Sequence, residues 1–158
     1  MGSDKALRLA ILGCGAVAEL GHLPAQARVA GIEVTLLVDK NRARTESLAR
    51  DFCVPHIADD WAATFDYADA AIVALPHNLH APVSAQLLRQ GIHVLVEKPM
   101  ALTAAECDSM IEASSQGGAT LAVGLMRRFS WTGQFAKRIL DEELLGPVHS
   151  FDVREGSV

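Results

Sequence analysis

Cysteine is scarce, with three residues in 158, at Cys14, Cys53 and Cys107. They form no CxxC pair, and an odd count argues against a disulfide framework, so reduced thiols in a cytoplasmic protein are expected. Cys14 carries one further expectation: it falls where a helix would begin, a place where thiol pKa values drop. Basic charge is also short. Fourteen Lys and Arg face nineteen Asp and Glu, for a net charge of −5. The basic residues are scattered, which excludes the electrostatic stripe that nucleic acid requires. Long apolar runs are missing, so no membrane-spanning helix is expected. The opening "MGSDKALRLAIL" runs straight into a strand pattern, and no leader is expected there. Repeats and low-complexity linkers are absent as well. What is present is a half-hydrophobic chain, long enough for one domain with a real core. That balance suits a parallel sheet buried on both faces, or a domain missing a partner surface.

Short apolar runs alternate with helical patterns, the signature of βαβ units in an α/β fold. Strands are expected at Leu7–Leu12, Glu33–Asp39, Ala70–Leu75, His93–Glu97 and Thr120–Leu125, with a weak one near Val54–Ile57. Helices are expected at Ala16–Val29, Arg42–Phe52, Ala81–Gln90, Ala104–Gln116 and Gly133–Leu144. Asn41 can cap the second helix, and Thr103 with Glu106 matches a capping box for the fourth. Gly91 and Gly117–Gly118 sit where left-handed helix ends belong. Pro24 should kink the first helix or divide it into a turn and a longer piece. The tail "GPVHSFDVREGSV" alternates with period two and predicts a strand over His149–Arg154 with no local partner. The expected organisation is a Rossmann-type doubly wound domain over 1–128, followed by a helix and strand over 129–158 that lead into a second domain.

The chemistry sits in the loops. Gly13-Cys14-Gly15-Ala16-Val17-Ala18 follows a strand and opens a helix, matching G-x-G-x-x-A. Gly13 permits the tight turn, Gly15 lets a pyrophosphate approach the backbone, and Ala18 allows close helix–strand packing. Amides and the dipole at the helix start favour the anion. Asp39 ends the next strand about 20 residues further on, where an acidic residue hydrogen-bonds ribose hydroxyls. Its carboxylate favours NAD, whereas Lys40, Arg42 and Arg44 could hold the extra phosphate of NADP. The loop Leu75-Pro76-His77-Asn78, with His80 beyond it, ends another strand on the ligand side of the sheet. His77 and His80 lack a third ligand at a useful spacing, so no metal site is expected. His80 either contacts the cofactor or orients the next helix. Glu97-Lys98-Pro99 ends the following strand, which should aim Lys98 into the same crevice to bond a substrate hydroxyl and help move a proton.

With "GCGAVA", "LLVDKNRAR", "VALPHNLHAPV", "HVLVEKPMALTAAECD" and "AVGLMRRFSW" in this order, the chain resembles the N-terminal domain of the Gfo/Idh/MocA oxidoreductases. These are the glucose–fructose oxidoreductase and inositol dehydrogenase family. The resemblance implies NAD(P)-dependent hydride transfer at a carbinol carbon of a sugar, cyclitol or related polyol. It makes Lys98 the active-site lysine, sets Glu97 as the brace of the loop beside the nicotinamide ribose, and brings Met126 and Arg127 near the cofactor. It further implies a homo-oligomer, and a second domain that supplies an Asp, a His and most of the substrate pocket. Since that domain is not in this sequence, the chain is expected to be inactive alone. A stand-alone nicotinamide-binding or self-assembling module is the competing expectation. A methyltransferase, which also has a glycine-rich loop, is disfavoured by the EKP triplet and the Pro76-His77 loop.

Overall fold

A computed structural model describes residues 5–154; residues 1–4 and 155–158, the outer ends of the two expected segments, lie outside the described residues. The chain forms two compact units, one through Gly124 and one from Leu125.

The first unit is built on six strands: β1 (Leu7–Leu12), β2 (Ile32–Val38), β3 (His56–Ala58), β4 (Ala70–Val73), β5 (His93–Val96) and β6 (Leu121–Val123). All neighbours pair in parallel, in the order β3-β2-β1-β4-β5-β6. This is the Rossmann arrangement, with its switch point between β1 and β4. The central strands β2, β1 and β4 bury both faces, which explains their continuous apolar runs, whereas the outer β3 and β6 are only partly buried. Ala10, Leu12, Leu36, Val38, Val73, Val94 and Val96 fill one layer, and Ile11, Val34, Leu37 and Ile72 fill the other.

The first layer is covered by α4 (His77–Arg89) and α5 (Ala104–Gly117), the second by α1 (Leu23–Gln26) and α2 (Arg42–Asp51). Asn41 caps α2 by accepting from the Arg44 amide at 3.2 Å. The Thr103–Glu106 capping box opens α5 with both reciprocal bonds made. Gly91 and Gly118 adopt left-handed backbone at the ends of α4 and α5, whereas Gly117 stays helical.

Three expectations are corrected. The expected first helix does start at Ala16, but it ends at Gln26 and widens into a π turn over Ala18–His22 ahead of the four-residue α1, where Pro24 withholds one N–H. Helix α4 starts at His77 rather than Ala81. Pro82 lies inside it and cannot donate to the Asn78 carbonyl, but Asn78 is exposed and water can take that bond. A 3₁₀ turn over Trp61–Ala63 leads into α3 (Thr64–Tyr67), a segment for which no element was expected.

The second unit contains a 3₁₀ turn at Met126–Phe129 and α6 (Trp131–Asp141), which Ser130 caps through the Gly133 amide at 3.1 Å. The expected tail strand does not form: His149–Arg154 is in no ladder and its side chains are exposed. Alternation is not enough for a strand, because its N–H and C=O groups need a neighbour, and none of the described residues supplies one.

At the amino ends of the central strands, Arg8 on β1 grips Asp69. Its Nη2 donates to Oδ1 at 2.6 Å and its Nε to Oδ2 at 3.1 Å. The hydrogen bond from the guanidinium holds the Asp69 carboxyl below its ordinary value, against a smaller upward push from burial. A depressed folded pKa means stability that is present above the unfolded value, about 3.9, and lost as the pH falls through the lower folded value. Asp69→Asn should therefore melt below the parent at neutral pH, with the gap closing in acid. Thermal unfolding followed from about pH 7 to about pH 2 checks this. A gap that does not change with pH would refute the ionic contribution. Both side chains are partly exposed, so the effect is modest.

Candidate functional site

The carboxyl ends of β1, β2, β4 and β5 converge on the site. Gly13 leaves β1 with φ +98°, in the left-handed region. A Cβ there would stand 2.3 Å from the Ala74 carbonyl oxygen, so only glycine fits between β1 and the end of β4. Gly15 is the reverse case, since a Cβ would meet nothing within 4 Å. The backbone there faces open space. The turn that starts beside it presents amides with no acceptor in their own helix.

The intervening Cys14 peptide is held from both sides. Asp39 Oδ2 accepts its N–H at 2.7 Å, and Arg44 Nε donates to its carbonyl. Arg44 Nη2 also reaches Glu19 Oε2 at 2.7 Å. Asp39 Oδ1 accepts from the Asn41 amide at 2.8 Å. Each carboxylate oxygen keeps a second lone-pair site, so Asp39 can brace the loop and still accept from a hydroxyl. The Cys14 thiol departs from expectation. Burial pushes its pKa up, and a hydrogen bond with Thr45 offsets this only in part. Desolvation of the thiolate outweighs the pull of the helix start.

Two depressions flank the loop. One is lined by Val38, Asp39, Lys40, Asp59, Asp60, Trp61, Leu75, Leu79 and Val83. The other is lined by Val17, Ala74, Leu75, His77, His80, Glu97 and Lys98. His80 is 1% exposed, with Nδ1 2.8 Å from the Pro99 carbonyl and Nε2 2.8 Å from the Leu75 carbonyl. It thus ties the loop after β4 to the loop after β5. A neutral imidazole has one N–H, so it donates to one of these carbonyls at a time. His77 meets it edge to face at 5.4 Å, and no cluster of three or more metal-ligating side chains occurs among the described residues. Lys98 is exposed at the crevice, ahead of a cis peptide to Pro99. Glu97 beside it accepts from the Lys98 amide at 3.2 Å and lies 2.9 Å from His22 Nε2. Met126 and Arg127 belong to the second unit, in its first 3₁₀ turn.

Residues 7–125 match a family described as an oxidoreductase family with an NAD-binding Rossmann fold. The chain belongs to the Gfo/Idh/MocA oxidoreductase family. Among its relatives is a putative UDP-kanosamine synthase oxidoreductase subunit of Amycolatopsis mediterranei, 34% identical over 86% of this chain and 38% of that protein. Another is inositol 2-dehydrogenase 2 of Saccharopolyspora erythraea, 30% identical over 89% of this chain and 42% of that protein. A 3-ketoreductase of Actinomadura kijaniata, solved with NADP and TDP-benzene, superposes with a TM-score of 0.80 at 26% identity, covering 88% of this chain and 43% of that one. The chain thus spans about two-fifths of the length of these relatives.

The Gfo/Idh/MocA domain is an NAD-binding Rossmann domain, and the geometry fits that group. The open backbone at Gly15 leaves room for a pyrophosphate, and Asp39, bonded to the Cys14 and Asn41 amides, keeps lone pairs that could accept from a ribose hydroxyl. Several lining residues were not anticipated. Asp59, Asp60 and Trp61 come from the missed 3₁₀ segment, and the one readable signal was Asp60, whose Oδ1 caps it through the Ala62 amide at 2.9 Å. Leu79 lines the same depression from the early first turn of α4, and Val83 from one turn further along it. His22 carried no local signal at all.

Proposed function

We propose that this chain is the cofactor half of an oxidoreductase that moves hydride between a nicotinamide dinucleotide and a carbinol carbon of a sugar, cyclitol or related polyol. The observation that carries it is the exposed Lys98 ammonium, which shares a crevice with Val17 of the glycine loop and makes no ion pair with any described residue. The nicotinamide, bound there, supplies hydride acceptance or donation. Lys98 Nζ hydrogen-bonds the reacting oxygen and helps move its proton. Glu97 fixes the loop that carries Lys98, and Leu75, Pro76, His77 and Asn78 wall the nicotinamide side. Turnover also needs companion acid–base groups on the substrate side of that crevice. The working form is a cytoplasmic homo-oligomer. Trp131, Phe135 and Leu140 of α6 support that reading, being apolar and 74%, 49% and 43% exposed.

We further assign NAD over NADP. Asp39, Asp59 and Asp60 surround the ribose end, and Arg44 is committed to Glu19 and the Cys14 carbonyl. Arg42 pairs with Glu46, which leaves Lys40 as the one cation on that rim without a side-chain partner among the described residues. A 2′-phosphate there meets net repulsion. Calorimetric titration of the chain should give NAD at least about tenfold tighter than NADP. Asp39→Asn should narrow that ratio, since an amide still accepts a hydrogen bond without repelling the phosphate. Equal or tighter binding of NADP overturns the assignment, and failure to bind either at millimolar concentration overturns the function.

A further inference from the structure

We propose that His22 is a positioning residue for Lys98: it holds the Glu97 carboxylate and so keeps the neighbouring ammonium free for the substrate and nicotinamide ribose. The inference rests on the placement of Lys98 proposed above.

A carboxylate and an ammonium on adjacent residues would ordinarily attract one another. Here Lys98 makes no ion pair with any described residue, and Glu97 is turned elsewhere. Its Oε1 lies 2.9 Å from His22 Nε2, and its Oε2 accepts the Lys98 amide at 3.2 Å. Both side chains of the His22–Glu97 pair are 18% exposed, so water competes little for either. Gly124 closes the third side. Its amide donates to the Val96 carbonyl at 2.8 Å, and a Cβ on it would stand 3.2 Å from the Glu97 carboxyl carbon. The carboxylate therefore has one place to lie, between His22 and a glycine that leaves room for it.

His22 reaches that place through the π turn. It is the last residue of Ala18–His22, which directly continues the glycine loop. A widened turn carries one extra residue, which rotates the downstream side chains by about 100° relative to a regular α-helix. The imidazole thus faces the end of β5 while the next residue, Leu23, enters the core at 2% exposure. One hydrogen bond links the phosphate end of the site to the lysine end across 75 positions of sequence. Without it, Glu97 keeps a partly buried charge short of one partner, and the ammonium of the adjacent Lys98 can take its place.

The test uses the full chain and two readouts that need no turnover. In the first, NADH and ADP-ribose are titrated in parallel, since ADP-ribose lacks the nicotinamide that Lys98 serves. In the second, lysines are reductively methylated with ¹³C and the titration midpoint of Lys98 is followed by NMR. His22→Leu should leave ADP-ribose affinity unchanged, weaken NADH by about fivefold and raise the Lys98 midpoint, because Glu97 now pairs with it. His22→Gln should restore both, since its amide donates from nearly the position of Nε2. His22→Leu with Glu97→Gln should also bring the midpoint back, there being no carboxylate left to capture the lysine. Parent values of the midpoint and of the NADH to ADP-ribose ratio in His22→Leu overturn the proposal, as does a midpoint that stays raised in the double variant. If the parent binds neither ligand, the functional reading fails, and the NMR midpoints still decide the role of His22.

Discussion

Gly15→Ala should leave the melting temperature of the chain unchanged and lower its NAD affinity at least about tenfold, or about 1.4 kcal/mol. The two halves of that expectation have one cause. A methyl group on Gly15 touches nothing within 4 Å, so the folded chain has no reason to resist it. The space it fills is the space a pyrophosphate must enter to reach the loop amides. Gly13→Ala is the contrasting case. Its Cβ would sit 2.3 Å from the Ala74 carbonyl oxygen on a backbone with φ +98°, so fold and binding suffer together. Calorimetry with NAD beside thermal unfolding separates the two. Unimpaired NAD binding by Gly15→Ala would mean that the diphosphate does not lie over that amide.

The second large effect is on stability. Gly117→Ala should destabilise the chain by about 3 kcal/mol, which for this size lowers Tm by about 6–12 °C. Gly117 is the last residue of α5, and a Cβ there would fall 1.8 Å from the Leu88 carbonyl oxygen in α4. Both partners are backbone, so no side chain can turn aside and the helices must separate. They are the pair that carries the site: α4 begins at His77 behind the Leu75–Pro76 loop, and α5 follows the Glu97–Lys98–Pro99 loop. Separation also breaks the burial of Leu87, Leu88, Met110 and Ala113, all fully buried. NAD affinity in the surviving folded fraction should fall as well. A melting temperature within a degree or two of the parent would show that the two helices slide apart at little cost.

Much of the fold was legible because its signals are local. Strand runs buried on both faces, the Asn41 cap, the Thr103–Glu106 box and the left-handed Gly91 each depend on a few neighbouring residues, and each appears where the pattern put it. The errors have separate origins. Helix α4 starts four residues before Ala81 because the exposed turn at Asn78 tolerates Pro82 inside the helix. The tail alternated like a strand but has no ladder to join. The segment Trp61–Tyr67 was too short for its period to register.

The glycine loop, the acidic end of β2 and the lysine after β5 are properties of the sequence alone, since a tight turn, a helix start and a strand end are set by torsion angles and side-chain chemistry within a few residues. What those groups touch was decided by the tertiary structure. The order β3-β2-β1-β4-β5-β6 brings Asp39 to the Cys14 amide, Arg44 to the Cys14 carbonyl and Glu19, and His22 to Glu97. It is why Arg44, a candidate for a phosphate, is a clamp on the loop, and why His22, with no motif to mark it, reaches the lysine end of the crevice. Such pairings depend on which strands lie side by side, and a parallel sheet joins its neighbours through crossovers that no short stretch of residues encodes.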